Sequence, residues 1–254
     1  MFEQTHENLL VLLPLAILSI VQHFQAFYIF NQSLGKHEMG TNFFIVVVIL
    51  LSALCYQVFH EDESLSGDIT IIPNSKFVED HLTGYKELIG SDYDGYRGHI
   101  YRVLSYTMHF LKKNDTDAKY LPAIAAALVY HDIALWTDAT LSYIEPSCVQ
   151  AKRHLEGFDS VEQQLIQDII YYHHKFTPFT AGPHANIVEA VRKADWIDAS
   201  FGVLSKGIPR AHIRAVMNAI PEAGFHQTLA DFGPRLHGMN VYKIVTGLAK
   251  IFRL

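Results

Sequence analysis

Cysteine is almost missing from this 254-residue chain: there are two, Cys55 and Cys148. That is too few for a disulfide framework, and their separation is not that of a zinc finger. Long basic runs are also missing, and the formal net charge is −6. A nucleic-acid polymer is therefore excluded as the main partner, because binding its backbone needs clustered cations. Strand-patterned segments are scarce as well, with only Ile69 to Ile72 reading that way. Neither an internal repeat nor a low-complexity tract occurs. The soluble part consequently reads as all-α, and the length suits one sizeable domain with an appendage.

Charge is lacking most conspicuously near the N-terminus, where no Asp, Glu, Lys or Arg occurs from Leu9 to Phe30. At roughly 1.5 Å per residue such a helix spans the roughly 30 Å of a bilayer's hydrocarbon core. A second uncharged run, Phe43 to Phe59, is at the short limit for spanning. The polar connection NQSLGKHEMGTN between them makes a transmembrane hairpin the simplest expectation, with membrane lipid as its partner. A cleaved signal peptide fits less well, since Met1 to Glu7 holds no Lys or Arg. The hydrophobic composition stops at the charged linker His60 to Asp68.

What is present in excess is histidine, with 15 residues. The stretch LPAIAAALVYHDIALW, Leu121 to Trp136, reads as one buried helix carrying His131 and Asp132 side by side. An ionised carboxylate in such surroundings is costly unless a positive group meets it. No Lys or Arg lies within the stretch, so a divalent cation held by imidazole and carboxylate is the functional expectation. The competing expectation is a hydrogen-bonded core histidine beside an exposed acid.

Three other helices carry related residues. In RGHIYRVLSYTMHFLKK, Ile100, Val103, Leu104, Phe110 and Leu111 form an apolar stripe with His99 at its edge, and His109 falls on the opposite, solvated side. A shorter helix is expected from about Val149 to Glu156. SVEQQLIQDIIYYHHKF places His173 roughly 30° from the centre of its apolar face and His174 about 130° away, so His173 points inward and His174 outward. In NIVEAVRKADWIDASFG both Asp195 and Asp198 fall on the buried stripe set by Ile187, Val188, Val191 and Ala194. One of these two acids is expected to face a metal, and pairing with Arg192 or Lys193 is disfavoured by the helical wheel.

Taken in order, HIYRV, YHDIA, IIYYHHK and KADWID resemble the HD-domain superfamily of metal-dependent phosphohydrolases, over roughly residues 90–202. The resemblance implies that His99, His131, Asp132 and Asp195 hold a primary metal, with His154, His173 and His174 as candidates for a second ion; His173, the inward one of the pair, is counted among the expected ligands. His154 stands where simpler, mononuclear members have an apolar residue, which leaves the metal count open. The implied organisation is a hairpin over 1–60 (spans 9–30 and 43–59), a linker and first helix over 61–89, an HD-domain helical bundle over 90–202, and a helical extension over 203–254. The implied enzyme is membrane-anchored with its HD domain in the cytoplasm, and its substrate is a small phosphorylated molecule.

Imidazole and carboxylate ligands suit Mn, Fe, Ni, Co, Zn or Mg without selecting among them. Such an ion acidifies a bound water and polarises a phosphoryl oxygen. Asp132 and Lys175 are the expected catalytic residues, with Arg102 and Lys193 as further cations that could meet substrate anions. Two other functions share the resemblance or its architecture: an HD-fold di-iron oxygenase, and a non-catalytic membrane regulatory module. Within residues 203–254, Gly207, Pro209, Pro221 and Pro234 are expected to separate short helices. The last of these, VYKIVTGLAKIFRL with Lys243, Lys250 and Arg253, is expected to pack on its own domain in preference to anionic lipid.

Overall fold

The computed structural model describes residues 67–111, 119–238 and 240–252. The expected hairpin at 9–30 and 43–59 lies outside them. Among the described residues no helix is long and apolar enough to cross a membrane, and none forms a strand. The architecture is all-helical, in agreement with the all-α expectation. Its helices are α1 (Lys76–Leu82), α2 (Lys86–Ile89), α3 (Tyr93–Leu111), α4 (Leu121–Tyr130), α5 (Ala134–Thr137) and α6 (Ile144–Lys152). They continue with α7 (Ser160–Tyr172), α8 (Ala185–Ala199), α9 (Arg210–Ala219), α10 (Phe225–His237) and α11 (Val241–Phe252).

Helix α3 is the axis of the bundle. It packs most extensively against α8 and is also met by α4, α9 and α10, so most of its surface is covered and Asp94 is its one exposed residue. His109, expected in solvent, is buried and lies edge-on to His212 of α9, with ring centroids 5.6 Å apart. The wheel set His109 away from the apolar stripe, but His212 of α9 covers that side of the helix. Gly95 and Gly98 permit the close approach of the segment before α10. A Cβ on Gly98 would lie 2.6 Å from the carbonyl oxygen of Pro221, and one on Gly95 would lie 2.9 Å from that of Ala223.

Helix α4 packs on α1, α7, α6 and α3, which explains why it is apolar all round. It stops at Tyr130, so Leu121 to Trp136 is not one helix. The ladder is interrupted at the His131–Asp132 pair, and side chains take up the freed backbone groups: His131 Nδ1 meets the Leu128 carbonyl at 2.7 Å, and Ser147 Oγ accepts from Ala134 N at 3.2 Å. Helix α7 is fixed at its other end by a capping box. Asp159 accepts from the amides of Val161 and Glu162 while Glu162 accepts from the Asp159 amide, an arrangement worth about 1 kcal/mol.

Other boundaries differ from expectation. The helix placed at Val149 to Glu156 is α6, which starts earlier, at Ile144, and ends at Lys152. Its first turn accepts Pro146, whose missing N–H is no loss there. Ile69 to Ile72 is not a strand; the Ile72 amide donates to Ser105 Oγ at 3.0 Å instead of to a neighbouring strand. Pro234 lies inside α10, and Gly238, with φ 57°, ends that helix.

One core unites Val78, Leu82 and Ile89 with residues of α3, α4, α7 and α8, and with Ile213, Val216, Ile220 and Phe225. It therefore runs across both of the limits drawn at 89/90 and 202/203. A smaller apolar cluster joins Ala134, Leu135, Leu141, Tyr143 and Ile144 to Phe232 of α10 and Ile251 of α11. Helix α11 thus packs on the protein, burying Gly247, Ala249 and Ile251 while Lys243 and Lys250 stay exposed.

Candidate metal centre

Four helices deliver one buried cluster. His99 comes from the middle of α3, His131 and Asp132 from the turn ending α4, His173 and His174 from the end of α7, and Asp195 from α8. His99, His131, His173, Asp132 and Asp195 are all buried, whereas the His174 side chain remains 15% exposed. Two groups of potential ligands can be drawn: His99–His131–Asp132 and Asp132–His173–His174. Asp132 belongs to both.

Three imidazoles are prepared in the same way. His131 Nδ1 lies 2.7 Å from the Leu128 carbonyl, and His173 Nδ1 lies 2.8 Å from that of Ile170, each three residues back at a helix end. His99 Nδ1 lies 2.7 Å from Asp198 Oδ2. Each Nδ1–H is thereby committed to an oxygen, which leaves Nε2 to face the cluster. The two helix ends also turn the negative pole of their dipoles toward it, which favours a cation.

The spacing suits an ion. His99 Nε2 is 3.0 Å from His131 Nε2 and 3.3 Å from Asp195 Oδ1; His131 Nε2 is 3.3 Å from Asp132 Oδ2; His173 Nε2 is 3.3 Å from Asp132 Oδ1. Ligand bonds of roughly 2.0–2.2 Å put neighbouring donors about 3 Å apart at right angles and about 3.4 Å apart in a tetrahedron. Asp132 Oδ1, Asp195 Oδ2 and His173 Nε2 are buried without a hydrogen bond. Orphaned polar atoms of this kind cost about 1–3 kcal/mol each, more when charged. A bound divalent cation would satisfy all three, so the donor set fits a metal.

The electrostatics agree. Burial opposes ionisation of Asp132 and Asp195, yet the surrounding imidazoles outweigh it and hold both carboxyls below the usual range. Burial by itself would push His99 down, but hydrogen bonds to Asp195 and Asp198 raise it to about 9. His173 is raised too, with Asp132 and Asp195 outweighing burial. His174 is lowered to about 3 by burial and by neighbouring His173. Burial, then the charges of Asp132 and Asp195, pushes the Tyr143 phenol well up, so it keeps its proton.

The cluster gathers His99, His131, Asp132, His173 and Asp195, and it also turns His174 inward. That residue, expected to point outward, has Nδ1 3.6 Å from Asp195 Oδ2 and Nε2 2.6 Å from the Tyr143 hydroxyl. The helix ends at Tyr172, so wheel arithmetic does not extend to residue 174. His154 is not brought in: it is exposed, stacks on Tyr130, and lies 3.1 Å from the Tyr85 hydroxyl. Lys175 sits over the rings of Tyr172 and Phe179 and reaches the Pro178 carbonyl at 3.5 Å. Lys193 lies over the Phe110 ring.

Arg102 does not await an anionic substrate. It is fully buried, held by Asp198 and by the Pro221 carbonyl. Asp198 is the second aspartate of α8, and its carboxylate partners are Arg102 and His99 instead of Arg192 or Lys193. Sequence reasoning missed the walls of the site. Phe225 stacks on His99 at 4.1 Å, and Tyr96 stacks at 6.0 Å from His131. At the His174 side, Phe252 of α11 is 5.5 Å from the His174 ring and stacks with Phe176 and Trp196. Phe225 and Phe252 reach the site from the region without a motif, where no sequence signal marked them.

Comparison with family models, with curated proteins and with solved structures gives no match. The functional reading therefore stands on the cluster's geometry and on the motif order.

Proposed function

We propose that the protein is a metal-dependent hydrolase of the HD type, acting on a small phosphoester such as a nucleotide. The observation that carries this reading is the convergence of His99, His131, Asp132, His173 and Asp195, with three of their ligand atoms buried and unbonded. A divalent ion bound there would supply an acidified water and polarise a phosphoryl oxygen. His99, His131 and His173 offer neutral nitrogen because their Nδ1–H groups are committed elsewhere, and Asp132 and Asp195 offset the positive charge. Phe225 and Tyr96 exclude water from the inner side. The substrate must approach from the side of His174, the most exposed member, past Phe176, Trp196 and Phe252. Neither Lys175 nor Arg102 is placed to bind its phosphate, so the metal centre itself must supply most of the phosphate's charge compensation.

The test is hydrolysis of a panel of nucleoside mono-, di- and triphosphates by the full-length protein, with Mn²⁺, Mg²⁺, Fe²⁺, Co²⁺, Ni²⁺ and Zn²⁺ added in turn. Metal-dependent phosphate release that disappears in Asp132→Asn is the expected outcome. No release with any of these ions, or release unchanged by that substitution, would overturn the reading. The inward turn of His174 favours one alternative, a di-iron oxygenase, because it completes a second ligand group sharing Asp132. Two irons per chain together with oxygen consumption would select it. Membrane anchoring through residues 1–60 belongs to the same proposal, and it predicts that carbonate alone does not release the protein from membranes.

A further inference from the structure

His174 differs from the other three histidines in the ring nitrogen it turns toward the cluster. His99, His131 and His173 face it with Nε2. His174 faces Asp195 with Nδ1 and holds its Nε2 against Tyr143 at 2.6 Å. Tyr143 is buried, its ring stacks on His173, and it is packed in the apolar cluster with Leu141, Ile144 and Ile251. Its hydroxyl is therefore fixed in place.

We propose that Tyr143 is a positioning residue, which holds His174 in the Nε2-protonated tautomer and so presents the Nδ1 lone pair to a cation shared with Asp132 and His173. A phenol has one proton to give and an oxygen that accepts. A cation at Nδ1 requires the ring proton on Nε2, and the Tyr143 oxygen, 2.6 Å away, is placed to accept it. In the other tautomer Nδ1–H would point toward Asp195 Oδ2 at 3.6 Å, too far for a hydrogen bond. Tyr143 thus ties together two residues of the Asp132–His173–His174 group, its ring stacked on His173 and its hydroxyl on His174. Tyr143 lies in the loop between α5 and α6 that carries no recognisable motif, which is why the sequence did not expose it.

The inference rests on the metal-centre reading but not on the reaction. Its test is ¹⁵N NMR of the metal-free, full-length protein labelled at histidine, with the His174 signals assigned by their loss in His174→Gln. Wild type should show protonated Nε2 and a bare Nδ1 at His174, and Tyr143→Phe should shift the ring toward the other tautomer. In the same variant the weaker Zn²⁺ binding step should lose about 10- to 100-fold in affinity, the usual cost of removing such a support. Phe keeps the stack on His173, and the wild-type spectrum decides the tautomer even if the variant folds poorly. A wild-type His174 protonated at Nδ1, or a tautomer and a Zn²⁺ affinity unchanged by Tyr143→Phe, would overturn the assignment. Absence of phosphoester hydrolysis alongside the expected spectra and Zn²⁺ affinities would sink the proposed reaction and leave the role of Tyr143 standing.

Discussion

Arg102 of α3 and Asp198 of α8 form a two-pronged ion pair, Nε to Oδ1 at 2.6 Å and Nη2 to Oδ2 at 2.9 Å, with both side chains fully buried. The same Asp198 carboxylate also meets His99 Nδ1 at 2.7 Å. The pair therefore joins the two most extensively packed helices and at the same time orients a candidate ligand. Burial opposes ionisation of Asp198, but His99 and Arg102 outweigh it and hold its carboxyl below the usual range.

Breaking this pair from one side should be severe. Arg102→Met leaves a buried carboxylate with only His99 to balance it, and such losses cost about 3–5 kcal/mol. Urea unfolding of the metal-free protein measures it. A cost under about 1 kcal/mol, the range of an exposed pair, would show that the carboxylate reaches solvent and that the pair is not structural.

Gly98→Ala tests the close approach beside the same arginine. The new Cβ would lie 2.6 Å from the Pro221 carbonyl oxygen and 3.0 Å from Arg102 Nη1. The first contact is with backbone, so something must shift, and overpacking of this kind costs about 1–3 kcal/mol. Gly84→Ala, where a Cβ meets nothing within 4 Å, is the control in the same thermal unfolding series. Equal effects from both would remove the steric explanation.

The pH dependence follows from His99. Its folded pKa, about 9, is raised above the ordinary 6.5. Protonated His99 therefore stabilises the metal-free protein fully below about pH 6.5, and this contribution is lost as pH rises to about 9. The shift corresponds to roughly 3 kcal/mol, to order of magnitude. A cation must displace the same proton from Nε2, so metal affinity should rise about tenfold per pH unit toward pH 9. Calorimetric titration with Zn²⁺ in buffers of differing ionisation enthalpy should show proton release. Release of no proton at pH 7 would contradict the protonated state of His99.

The sequence made the candidate ligands legible because each was a polar residue in or at the edge of an apolar helical stripe. A charged or polar group there is expensive, and His99, His131, Asp132, His173 and Asp195 stood out for that reason. The wheel failed where a helix ended, as at His174, and where another helix covered the side opposite the stripe, as at His109. It also could not supply partners from distant helices: Asp198 was assigned no neighbour, yet Arg102 was waiting on α3. Lys175 was chosen for adjacency in sequence, but the chain turns after His174 and carries its ammonium onto the Tyr172 and Phe179 rings. Tyr143, Phe225 and Phe252 are ordinary apolar or loop residues whose role exists only once the helices are assembled.

The two adjacent histidines now have comparable claims. His173 Nε2 is 3.3 Å from Asp132 Oδ1, and His174 Nδ1 is 3.6 Å from Asp195 Oδ2. His173→Ala and His174→Ala should each weaken Zn²⁺ binding by at least tenfold, the scale of a lost ligand or its support. Metal content after dialysis against a chelator buffer measures it. Loss in His173→Ala with full retention in His174→Ala would restore the outward reading of His174.

Asp132 is the residue on which both ligand groups depend, and its substitution separates a metal ligand from a structural acid. Asp132→Asn keeps the size of the side chain and removes its charge. Without metal, Asp132 Oδ1 has no hydrogen bond and the carboxylate meets only the imidazoles of His131 and His173 at 3.3 Å, so the substitution should leave a folded protein with a melting temperature modestly below wild type. With Mn²⁺ at about 100 times its dissociation constant, wild type should gain about 2.7 kcal/mol and the variant far less. Thermal unfolding of both proteins, with and without Mn²⁺, gives all four quantities at once. If metal-free Asp132→Asn melts far below metal-free wild type while its response to Mn²⁺ is intact, then the imidazoles around Asp132 are its structural partners and the metal centre does not exist as drawn.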